Sequence, residues 1–70
     1  MTTWNKTQAL DFAQASAETA FDDWKPYGSL LGSVCAHRIN VVDTLREYQA
    51  AAHVSAALAL FDEQITVTLK

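Results

Sequence analysis

Residues 40–61 read NVVDTLREYQAAAHVSAALALF, and this stretch decides the fold. Asn40 is a residue type that caps helices. Val41, Leu45, Tyr48, Ala52, Ala56 and Ala59 then recur at the helical period and mark one apolar face. Val54, Leu58 and Phe61 mark a second face, almost opposite the first. The second half of the stretch therefore has no polar side. A chain of 70 residues holds too little else to cover both faces. The simplest cover is a second copy of the chain. The spacing predicts a homodimer with Tyr48, Ala52, Val54, Leu58 and Phe61 at its interface.

Upstream, a first helix is predicted from about residue 6 to residue 24. Asn5, with Gln8 three residues later, has the form of a capping box. Leu10, Ala13, Ala17, Ala20, Phe21 and Trp24 fall on one stripe at the helical period. Pro26 ends this helix, because the residue before a proline avoids helical backbone. Residues 25–29 then read as a turn, with Ser29 or Ser33 as the cap of the next helix. Two readings of the second half stand open. Either a short helix over about 30–38 precedes a long one over about 41–62, or the two are continuous. The β-branched Ile39, Val41 and Val42 weaken helix locally, and Asp43 near a start at Asn40 suits the helix dipole.

Downstream, Ile65, Val67 and Leu69 alternate with Thr66 and Thr68, which is a strand period. Residues 64–69 are therefore expected to form a short extended tail. The expected fold is all-α and a single domain over 1–70. It is a helical hairpin, or three helices if the chain breaks at Asn40, assembled as a homodimeric four-helix-type bundle.

The composition excludes several functions. One cysteine, Cys35, permits no intrachain disulfide and suits a reducing compartment. The net charge of −3 has the wrong sign for binding a phosphate backbone, and the five Lys and Arg form no basic stripe. The N-terminal Met-Thr-Thr-Trp-Asn has neither the charged nor the apolar region of a signal peptide. The longest apolar run, residues 50–61, is short for a membrane span and contains His53 and Ser55. A soluble cytoplasmic protein is expected, with no membrane partner and no nucleic acid.

No enzyme chemistry emerges. Cys35 and His37 are two apart, so a helix would point them to different faces. Cys35, His37 and His53 are too few and too dispersed for a structural zinc site, which usually takes four ligands. The only glycines, Gly28 and Gly32, cannot build a phosphate cradle. No serine lies in a Gly-x-Ser-x-Gly context. No catalytic residue, metal or cofactor is expected. A helix-turn-helix can be laid over residues 30–48, with its turn between Cys35 and Asn40 and with Thr44, Arg46 and Gln49 reading bases. It lacks the glycine common in that turn.

Several hydrophobic residues on one small chain point instead to an interaction surface. Phe12 lies off the main stripe of the first helix. With Gln8, Glu18 and Tyr27 it forms the predicted contact surface for an outside partner. In size and style the chain resembles phage- or mobile-element-encoded inhibitors of host proteins. The expected function is an intracellular protein-binding module that inhibits or adapts a larger protein. The alternative is a helix-turn-helix transcriptional regulator.

Overall fold

The computed structural model describes residues 3–69. Among the described residues three α-helices succeed one another: α1 over Lys6–Asp22, α2 over Leu30–Glu47 and α3 over Val54–Leu69, with a 3₁₀ turn, Ala51–His53, before α3. There is no strand among the described residues.

Local chemistry explains the starts of α1 and α2. At α1 the capping box forms: Asn5 Oδ1 accepts from the Gln8 backbone N–H at 2.9 Å, and Gln8 Oε1 accepts from the Asn5 N–H at 3.0 Å. At α2 the cap is Ser29, whose Oγ accepts from the Gly32 N–H at 3.0 Å. Ser33, the other candidate cap, is fully buried. Its Oγ donates to the Ala20 carbonyl at 2.7 Å. That carbonyl lies in the last turn of α1, where helix carbonyls lose their own partners.

The break in the second half falls at residues 48–50 rather than at Asn40, so α2 is continuous through the region expected to separate 30–38 from 41–62. Asn40 caps nothing; its Oδ1 accepts from the Thr44 hydroxyl at 3.4 Å. Val41 is buried in the core, and that packing outweighs its weak helix propensity. α2 ends instead in a Schellman motif. The Gln49 N–H bonds to the Arg46 carbonyl at 3.1 Å, and the Ala50 N–H to the Leu45 carbonyl at 2.7 Å. Gln49 supplies the left-handed residue that this motif needs, at φ 57°.

The break turns α3 back along α2. Arg38, in the middle of α2, pairs with Asp62 in the middle of α3. α2 ends beside Trp4 at the start of α1, so α3, which begins after the short break and packs along α1, runs parallel to α1 and antiparallel to α2. α1 packs against both, while α2 and α3 touch each other less. The second apolar face of the long stretch is consequently covered by the same chain. Phe61 is fully buried in the core, with Val54 and Leu58 packed against it. The premise that a second copy must cover these residues does not hold, and Phe61 offers no surface to a dimer. Ala52 is exposed in the 3₁₀ turn, and Tyr48 is half-buried at the end of α2.

The expected extended tail is also corrected, since residues 64–69 are the last part of α3. Phe61 and Ile65 lie one helical turn apart and both face the core. The Thr66 hydroxyl donates back to the Asp62 carbonyl at 2.9 Å. A lone strand would leave its backbone groups without partners.

Candidate functional site

Six of the ten core residues are alanine: Ala9, Ala13, Ala17, Ala20, Ala50 and Ala57. Small side chains let the helices approach closely, and they leave the larger apolar residues at the rim and outside. Among the described residues, the exposed large hydrophobic ones are Trp24, Tyr27, Leu31, Ile39, Val67 and Leu69. Their distribution is uneven. Trp24 and Tyr27 lie in the connector after α1, Leu31 in the first turn of α2, and Val67 and Leu69 in the last turns of α3. The antiparallel course of α3 along α2 puts all five at the same end of the bundle. Only Ile39 lies at mid-length.

The connector at this end has defined geometry. Gly28 adopts φ +79°, which a side chain would strain, and its N–H bonds to the Lys25 carbonyl at 3.1 Å. Tyr27 is 53% exposed, with its ring edge-on to His37 at a centroid distance of 6.2 Å. His37 Nε2 lies 3.3 Å from Asp23 Oδ2, off the line of a hydrogen bond. A Trp and a Tyr held outward on a short connector are the residue types in which interface energy concentrates.

A second surface runs along the outer side of α2. Cys35, Arg38, Ile39, Val42, Asp43 and Arg46 line an open groove of about 400 Å³. Arg38 reaches across to α3, where its Nε and Nη2 donate to the two Asp62 carboxylate oxygens at 3.1 and 3.2 Å. The Asp62 hydrogen bond, and next its charge, raise the Arg38 guanidinium above its ordinary value.

The residues expected to contact a partner do not form one surface. Phe12 is half-buried and packs against the core, its ring tilted 54° against Trp4 at 5.3 Å. Trp4 in turn stacks on Tyr48 at 4.3 Å and donates its backbone N–H to the Tyr48 carbonyl at 3.0 Å. Phe12 and Tyr48 thus pin the N-terminal segment to the end of α2. Gln8 is engaged in the cap of α1. Glu18 is exposed on α1, and Tyr27 stands apart from it at the connector. The sequence places Trp24 on the apolar stripe of the first helix, and it does not mark Leu31, Ile39 or Leu69 as exposed. The signal that could have found them is that helix packing around an alanine stripe has room for few large residues.

The helix-turn-helix loses its turn, because α2 runs unbroken from Cys35 through Asn40. Cys35 is exposed on the outer side of α2, and His37 turns inward beside Asp23. Among the described residues no group of three or more His, Cys, Asp and Glu could hold a metal ion. No described helix is long and apolar enough to cross a membrane. The chain matches no protein family, no curated protein and no solved structure.

Proposed function

We propose that this chain is a small protein-binding module, an inhibitor or adaptor of a larger protein, which meets that protein with the apolar end of its bundle. One observation carries the reading. Trp24, Tyr27, Leu31, Val67 and Leu69 are exposed together at one end, while the solvent side of α1 is polar, with Asp11, Gln14 and Glu18. Scattered exposed hydrophobes are ordinary. Their concentration at one end of a 70-residue chain is the pattern of a docking surface. The same reading takes the active form to be a homodimer. Four large residues, Val41, Leu45, Phe61 and Ile65, carry most of the core. Chains with so small a core gain stability by association.

The test is competitive capture by the immobilised, folded chain. Tyr27→Asp and Trp24→Asp should abolish capture of the partner, and Gln14→Asp on the polar side of α1 should leave it intact. Equal capture by all three variants would overturn the reading.

A further inference from the structure

We propose that the outer face of α2 docks a second copy of this chain in parallel, as a coiled coil of about two heptads. The inference rests on the homodimeric reading and adds its face and orientation. Gly32, Cys35, Ile39, Val42 and Arg46 succeed one another in steps of three and four residues. That is the spacing of the a and d positions of a heptad. In this frame the groove residues Cys35, Arg38, Ile39, Val42, Asp43 and Arg46 occupy positions d, g, a, d, e and a. All six are positions that a coiled coil uses. The seam turns away from Val41, at c, while Leu45, at g on the flank of Arg38, is buried against the bundle's own core. Ile39, at the central a position, is 62% exposed. Ile39 at a and Val42 at d are the apolar pair at the centre of the seam.

The charges choose the partner and the orientation. Arg38 at g and Asp43 at e lie on opposite flanks of the seam, about 140° apart around the helix. In a parallel pair the g flank of one helix meets the e flank of the other, five residues on. Arg38 then faces the partner's Asp43, and symmetry repeats the pair. In an antiparallel pair like flanks meet, so Arg38 at g and Asp43 at e are not brought together. The Arg38–Asp43 pair thus forms across the seam in the parallel orientation.

Arg38 is already fixed on its flank. Asp62 takes its Nε and Nη2 and leaves Nη1 without a bond among the described residues. An isolated two-heptad helix would hardly form in water. Here the bundle has already formed α2, so association does not have to fold it. Arg46 at the last a position lowers the affinity, as charged a residues do. A weak, micromolar dimer is expected. A parallel pair also sets the two apolar ends side by side, so an outside partner meets twice the surface.

The test uses the whole chain. Sedimentation equilibrium should show a monomer–dimer equilibrium in the micromolar range. Ile39→Asp, at an exposed position, should abolish the dimer and leave the helical circular dichroism unchanged. Arg38→Glu and Asp43→Arg should each be monomeric alone, and the two mixed one to one should recover a dimer. In the unsubstituted chain Cys35 lies at d, across from the partner's Cys35. Diamide should therefore link the chains readily. Two thiols form one disulfide, and their two protons and two electrons reduce diamide to the hydrazine.

A monomer at every concentration would overturn both this inference and the homodimeric reading. A dimer that survives Ile39→Asp and does not link through Cys35 would overturn the face alone. A dimer abolished by Ile39→Asp, with no Cys35 link and no recovery on mixing, would overturn the parallel orientation.

Discussion

Ser33 Oγ donates to the Ala20 carbonyl at 2.7 Å, and both residues are fully buried. A single hydroxyl thus closes the end of α1 from a neighbouring helix. Ser33→Ala leaves that carbonyl unpaired in the core, and the loss should be about 1–3 kcal/mol. Urea denaturation of the variant checks it. Phe12 has a comparable structural part. It is half-buried against the core and Trp4, so Phe12→Ala should cost about 2 kcal/mol, less than the 3–5 of a fully buried ring. An unchanged denaturation midpoint would free Phe12 from this role and return it to the candidate contact surface. The sequence alone leaves Phe12 ambiguous. Its position off the alanine stripe is legible, but the Trp4 ring that covers it comes from outside the helix.

At the scale of elements, the starts of α1 and α2 were readable, and the end of α2 with the start of α3 was not. Asn5 with Gln8 announces α1, and Pro26 announces its end, because each has a local mechanism. The end of α2 has one too, the Schellman motif at residues 45–50. Its left-handed position normally carries glycine, and here it carries Gln49 at φ 57°. With that signal absent, residues 40–61 look like one helix with two apolar faces. The break resolves the conflict by folding one face onto the other within the chain. A non-glycine residue in this conformation is held under strain of about 1–2 kcal/mol. Gln49→Gly should therefore raise stability by about 0.5–1 kcal/mol, the strain relief being partly offset by the greater freedom of glycine in the unfolded chain. Thermal denaturation of the variant measures this, and a lowered midpoint would mean that the Gln49 side-chain contacts outweigh the strain. The tail failed for a different reason. Ile65, Val67 and Leu69 fit a period of two, while Phe61 and Ile65 fit the helical turn. Only the presence of α1 to receive Phe61 and Ile65 decides between them.

At the scale of the whole molecule, the all-helical class and the Ala13, Ala17 and Ala20 stripe were legible in the sequence, and the arrangement of α2 and α3 was not. That arrangement moves the surface available to partners. Phe61 goes inside, while Trp24, Tyr27, Leu31 and Leu69 gather at one end. Ionic contacts add little to holding the bundle. The Arg38–Asp62 pair is about half exposed on both sides, and such pairs contribute under about 1 kcal/mol. Packing around the alanine stripe holds the fold, and the residues it cannot accommodate make the docking surface.

The apolar end of the bundle is the surface proposed to meet another protein. A photo-crosslinking amino acid placed at position 27, in the chain expressed in its cell of origin, tests this most directly, with position 14 on the polar side of α1 as the comparison. A discrete adduct heavier than two copies of the chain is expected from position 27, and none from position 14. No adduct heavier than the chain's own dimer from position 27, or the same adduct from both positions, would contradict it.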